Sequence, residues 1–190
     1  MNILTLLTQD HRNLSALFAR VPTAIDDPAE INHLATLISE QLSRHAAVEE
    51  QLLYPALFAD AREDRLLVLK ALEDHHAAEQ TLLEALSLSP TDERLPAKLM
   101  LLADVVPRHA EHEEAELFDL ARRTLSHTQL EEMGEQAAAL KKVAPTRPHP
   151  HLTGRPLWQM ALVLPVALAD RTITTVRQLA GTGLRLLPKP

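Results

Sequence analysis

The stretch HAAVEEQLLYP, residues 45–55, decides how this chain is read. His45 and Glu49 stand four apart, and a helix of about 3.6 residues per turn returns both side chains to one face. One such pair is explained by a surface ion pair. The stretch returns 64 residues later as HAEHEEAELFD, residues 109–119, with a His, a Glu four on, a second Glu beside it, then Leu and an aromatic at the same offsets. A repeat of that kind asks for a shared cause.

The composition narrows the setting. A chain of 190 residues is long enough for one domain with a sizeable core. It is rich in Leu, Ala, Glu and Arg and has only 4 glycines, 3 Phe, 1 Tyr and 1 Trp, which predicts an all-helical protein. Without cysteine it has no disulfide, thiolate ligand or thiol nucleophile. The opening MNILTLLTQDH lacks a basic n-region and a long apolar run, so no secretory signal is expected and the cytoplasm is the expected compartment. The net charge of −7 divides unevenly: residues 145–190 carry six basic groups against Asp170, leaving −12 on residues 1–144. That acidic body argues against a nucleic-acid partner, because phosphates require a positive face.

Helix signals follow in order. Leu4, Leu7, His11, Leu14 and Phe18 are spaced as an inward stripe, predicting a helix over 2–20 with His11 at the centre of the stripe. Asp27, Pro28 and Glu30 read as N-cap, first helical residue and capping-box partner of a second helix reaching about residue 58. Its stripe, Leu34, Ile38, Gln41, His45, Glu49 and Leu52, aims the pair at the core. A third helix is expected from about Arg62 to Leu88, and a fourth from Ser89 and Pro90, with Pro107 bending it before His109. The fourth stripe is Leu99, Leu102, Val106, His109, Glu113, Leu117 and Leu120. A shorter helix is capped by Ser126 and Gln129 and ends near Val143.

These signals predict an up-down-up-down four-helix bundle with additional C-terminal helices, residues 1–144 forming the bundle and its short following helix. Residues 145–190 read as a Pro-rich linker, APTRPHPHLTGRP, and a basic amphipathic arm. The arm's apolar run is broken by Pro165 and is shorter than the ~20 residues of a membrane span. Docking on the bundle or a homodimer through the arm is expected ahead of membrane association.

Every long helix now carries an inward histidine, and two carry an inward carboxylate as well. Burying carboxylates without compensation is costly. Two divalent or trivalent cations would supply that compensation, and imidazole with carboxylate suits iron, manganese or zinc. The third helix offers two adjacent histidines. His75 repeats the 34-residue spacing from His11 to His45 in its own spacing to His109. His76 has the larger residues on its stripe, Leu69, Leu72 and Leu83, with Glu79 as a further carboxylate, and the choice falls on His76. Glu50 and Glu114 are expected to hydrogen-bond ligand histidines, and Tyr54 and Phe118 read as core. His33, His112 and His127 read as solvated, and His149 and His151 as a weak pair.

DH at 10–11, HAAVEE at 45–50, EDHH at 73–76 and HAEHEE at 109–114 resemble the hemerythrin-like HHE cation-binding domain over roughly residues 1–125. The resemblance implies a non-haem diiron centre, two iron ions with a bridging oxo or hydroxo group, in proteins that bind or react with oxygen, hydrogen peroxide or nitric oxide, or sense iron. Carried over by position, the metal ligands are His11, His45, Glu49, His109 and Glu113, with His76 from the third helix. The oxygen-carrying hemerythrins place two histidines a turn apart on that helix. The departure here points from oxygen carriage toward redox chemistry with peroxide.

Overall fold

A computed structural model describes residues 1–60 and 64–149. The described chain is all helix and loop: α1 Ile3–Phe18, a 3₁₀ turn Val21–Ala24, α2 Pro28–Val48, a π-helical turn Glu49–Leu53, α3 Tyr54–Asp60, α4 Arg65–Ser87, α5 Arg94–His112, a second π-helical turn Glu113–Leu117, α6 Phe118–Thr124 and α7 His127–Val143. Among the described residues no helix is long and apolar enough to cross a membrane. The arm beyond residue 149 lies outside the described residues.

Local chemistry sets several helix ends. The Asp27 side chain accepts from the Ala29 and Glu30 amides, and Pro28 opens α2 where no amide hydrogen is needed. Glu30 does not complete the expected capping box; its carboxylate takes Arg20 instead, at 2.6 Å. Ser126 and Gln129 do form a reciprocal box at the start of α7. The expected start at Ser89 is not met. Ser89 Oγ accepts from the Thr91 amide within a turn, and α5 begins at Arg94, whose amide donates to Asp92, with Pro96 in the first turn.

The helical bundle packs α1 against α2 and α5, α4 against α5 and α2, and α7 across α1 and α2. Its core divides in two. One apolar cluster holds Ile3, Leu7, Val48, Leu53, Phe118 and Leu120; the other holds Leu14, Phe18, Leu34, Ile38, Leu82, Leu99 and Leu102. His11, His45, His75, Glu49 and Glu113, all buried, form a polar layer between them.

The fit of α7 depends on Gly134. A Cβ there would lie 2.1 Å from the Met1 carbonyl oxygen and 2.9 Å from the Asn2 carbonyl carbon. Both obstacles are backbone, so relief requires α7 or the N-terminus of α1 to move. Gly134→Ala is expected to destabilise by about 1–3 kcal/mol, the usual range for overpacking, rather than to gain the helix propensity of alanine. Thermal unfolding of the variant tests this; an unchanged or raised midpoint would show that α7 does not sit tightly on α1. Beyond α7, Pro145, Thr146 and Pro148 are buried, and Ser39 Oγ donates to the Thr146 carbonyl at 3.0 Å. The first residues of the Pro-rich segment therefore lie against α2.

Candidate metal centre

The two π turns shape the site. A π turn closes i→i+5, and here the Tyr54 amide donates to the Glu49 carbonyl and the Phe118 amide to the Glu113 carbonyl. Residues five apart therefore share a face, so each carboxylate is followed inward by an aromatic. A uniform 3.6-residue period cannot show this. The Tyr54 hydroxyl reaches the centre, making a short hydrogen bond to Glu113 Oε1 and lying 3.2 Å from His75 Nε2. Phe118, at the matching place, stacks nearly parallel on His11 with ring centres 6.0 Å apart.

Five of the expected residues meet with a sixth that differs from expectation. His45 Nε2 lies 3.0 Å from Glu49 Oε2, His109 Nε2 3.3 Å from Glu113 Oε2, and His11 Nε2 3.4 Å from Glu113 Oε2 and 3.9 Å from Glu49 Oε1. The fourth imidazole is His75, with Nε2 3.2 Å from Glu49 Oε2, and not His76, which is half-buried outside the group. The stripe of α4 that faces inward is Val68, Ala71, His75, Glu79 and Leu82, all buried, whereas Leu69 and Leu83 are 46% and 37% exposed. Side-chain size misleads there, since the crowded centre takes the smaller residues. The dipeptide Asp10-His11, repeated as Asp74-His75, is the signal that marks the histidine that joins the cluster.

One ligand-type atom each from His11, His45, Glu49 and Glu113 lies within 4.8 Å of all the others, and the same holds for Glu49, His75, His109 and Glu113. The quartets share both carboxylates. His11 Nε2, His109 Nε2, both Glu49 oxygens and Glu113 Oε2 are buried and face one another without a well-directed hydrogen bond, an arrangement that is costly in a protein interior. A donor set of imidazole nitrogens and carboxylate oxygens converging on one small volume fits metal cations.

The outward nitrogens have carboxylates of their own. Glu114 lies 2.7 Å from His11 Nδ1 and Glu50 2.9 Å from His75 Nδ1, as expected for these two acids. Asp74 lies 3.4 Å from His109 Nδ1 and Asp10 3.7 Å from His45 Nδ1, the latter too long for a direct hydrogen bond. Hydrogen-bonded partners of this kind hold the ring and direct Nε2 inward, and Asp10 acts on His45 through its charge. Asp10, His11, His45, Glu49, Glu50 and Tyr54 thus correspond, 64 residues on, to Asp74, His75, His109, Glu113, Glu114 and Phe118. The halves differ at the last pair and at the outer aspartates. Asp74 is partly exposed and pairs with Lys70 on its own helix. Asp10 is buried and pairs at 2.5 Å with Lys141 from α7.

Charge shapes the protons of the cluster. Burial pushes the His45 imidazole down, but Glu49, Asp10 and Glu113 outweigh it and raise its pKa to about 9. His75 is likewise held well above its ordinary value, with Glu49 and Glu50 outweighing burial. Burial and the repulsion of Glu113 act to raise Glu49, yet its histidine neighbours bring it below its ordinary value. Glu113 is held well below the ordinary range, with His109, His11 and His75 overcoming burial. Tyr54 is pushed well above its ordinary value by burial and by Glu113 and Glu49, so its hydroxyl keeps its proton in this field.

Comparison with known proteins agrees with this geometry. Residues 2–121 match the hemerythrin HHE cation binding domain. The chain belongs to the hemerythrin family. It is also 30% identical over 142 residues to a protein of Nostoc sp. (strain PCC 7120 / SAG 25.82 / UTEX 2576) named DNA nickase, a match covering 74% of this chain and 39% of that protein. No solved structure gives a significant match. The hemerythrin-family match ends within α6, and α7 with its Lys141 lies beyond it.

Proposed function

We propose that this hemerythrin-family chain holds two iron ions in an up-down-up-down four-helix bundle and reacts with peroxide, oxygen or nitric oxide. The observation that carries the reading is the pair of quartets sharing Glu49 and Glu113. Each quartet offers two imidazoles and two common carboxylates, and carboxylates from facing helices are suited to bridging two metals. Structural zinc, by contrast, prefers a closed tetrahedral set of nitrogen and sulfur ligands. Bound iron would supply redox equivalents and Lewis acidity. His11, His45, His75 and His109 would hold it through Nε2, with Glu114, Asp10, Glu50 and Asp74 fixing the rings.

The Tyr54 hydroxyl is the neutral proton donor of the inner group, resting on Glu113 beside His75. Phe118 provides no such group, so a proton can be offered from one half only. Cations would reverse the field at this hydroxyl and ease the release of its proton, and the phenolate left once the proton is given up would mark that state with a visible band. Purified protein is expected to contain about two irons per chain, the number of quartets, to absorb in the near ultraviolet, and to evolve oxygen from hydrogen peroxide. Tyr54→Phe should keep the iron and lose any visible phenolate band. One zinc and no iron in protein made with iron available would sink the reading.

Binding or sensing without turnover is the alternative, shown by spectral change with oxygen or nitric oxide and no evolved oxygen. The relative named DNA nickase favours a further reading, strand cleavage at the same metals. The acidic bundle opposes it, since residues 1–144 carry −12 and would repel phosphates. Metal-dependent nicking of supercoiled plasmid, abolished by Glu49→Gln, would establish it over the peroxide reading.

A further inference from the structure

The metal centre is not sealed. A cavity of about 490 Å³ runs from His11, His45, His75 and His109 to the surface at the α4–α5 seam. Its outer lining includes Leu101, 51% exposed. The rest of the lining is mostly apolar, with Leu42, Ala46, Ala78, Val105 and Val106, and it also carries the charged side chains of Lys70, Asp74, Glu79 and Arg108. Among the described residues no Phe, Tyr or Trp lines it, and the short side chains of Ala77, Ala78 and Thr81 on α4 face it. Oxygen or hydrogen peroxide does not require this volume: it is about sixteen times the ~30 Å³ that one water occupies in the liquid. It falls in the range of small-molecule sites, roughly 300–1,000 Å³, which are likewise mostly apolar with a few convergent polar groups.

We propose that this cavity binds a linear aliphatic molecule with a small oxygen-bearing head, the chain lying along Leu42, Ala46, Ala78, Val105 and Val106 and the head reaching the four histidines. The inference rests on the metal-centre reading for the role of the head, which under peroxide chemistry makes the ligand class an alkyl hydroperoxide. The aliphatic walls favour an alkyl chain, and burying that chain drives binding. The histidines and carboxylates at the inner end would exclude the chain terminus and admit the polar head. The cavity therefore selects both class and orientation.

Octan-1-ol, which has the chain and an oxygen head but no reactive O–O bond, is the probe. Titrated into iron-loaded protein it is expected to bind with a negative heat-capacity change and to shift the near-ultraviolet iron absorption, while raising the unfolding midpoint of metal-free protein. Ala78→Phe, which fills the passage, and Leu101→Asp, which places a charge at the exposed mouth, are each expected to weaken binding at least tenfold. Leu101→Asp is at the surface and should leave fold and iron content unchanged. Absence of octanol binding, or equal binding by wild type and both variants, overturns the proposal whatever the peroxide assay gives. Octanol binding that is lost in the variants, in a protein inert to peroxide, upholds the cavity and removes the peroxide reading alone.

Discussion

Metal-free protein is expected to unfold about 10 °C below the iron-loaded form at neutral pH, and the gap is expected to widen as the pH rises from 6.5 to 9. The first part follows from linkage. A ligand at a thousand times its dissociation constant stabilises by about 4 kcal/mol, and in a chain of this size 1 kcal/mol moves the midpoint by roughly 2–4 °C. The pH dependence follows from the cluster. Without metal, imidazolium charge is the compensation for Glu49 and Glu113. His45 rises from 6.5 to about 9 on folding, so its contribution is complete below 6.5 and is lost as pH rises through 9. At about 1.4 kcal/mol per unit, that contribution is on the order of 3 kcal/mol. Glu49 and Glu113 are lowered on folding, so theirs is present above the ordinary carboxylate range and is lost on acidification. Metal-free protein should therefore be most stable in mildly acid solution. Metal binding displaces the imidazolium protons and strengthens with pH. Circular-dichroism melts of both forms from pH 5 to 9 measure this, and parallel curves would show that the histidines do not carry the compensating charge.

Much of this centre is legible in the sequence because its geometry is helical and periodic. His11, His45 and His109 lie on stripes whose other members are ordinary core residues, and the four-residue step to Glu49 and Glu113 is one helical turn. What escapes is whatever depends on a change of period or on a partner distant in the chain. The π turns bring Tyr54 to Glu113 by adding a residue to the turn, and nothing in EEQLL or EEAEL announces that locally. His75 is masked in the sequence because its stripe carries Val68 and Ala71 while that of His76 carries leucines. Burial here follows closeness of approach rather than side-chain size. Lys141 is 131 residues from Asp10, and no helical pattern can pair them.

The carboxylates give the sharpest separation of roles, because structure divides them into shared, shielded and exposed. Glu49 is fully buried and belongs to both quartets, so Glu49→Gln removes a charge from both positions at once. It is expected to strip most of the iron, and Glu113→Gln to do nearly the same. Asp10, Glu50, Asp74 and Glu114 act through the rings they face, where loss of such a partner usually lowers metal affinity by about 10–100-fold. Within this group the two aspartates should differ although the repeat makes them equivalent. Asp74→Asn removes a partly exposed group that solvent can replace. Asp10→Asn weakens the hold on buried His45 and leaves Lys141 of α7 without its carboxylate, so it should fall near the upper end of the range. Lys141→Met should reproduce part of that loss from outside the residues matched to the family domain. Iron content and chelator competition across Glu49→Gln, Glu50→Gln, Asp10→Asn, Asp74→Asn and Lys141→Met measure the order. Equal losses from Glu49→Gln and Glu50→Gln would show that sharing by both quartets does not set Glu49 apart. Equal effects of Asp10→Asn and Asp74→Asn would show that α7 stabilises the bundle without steadying the metal, because Asp10 joins Lys141 of that helix to the surroundings of His45.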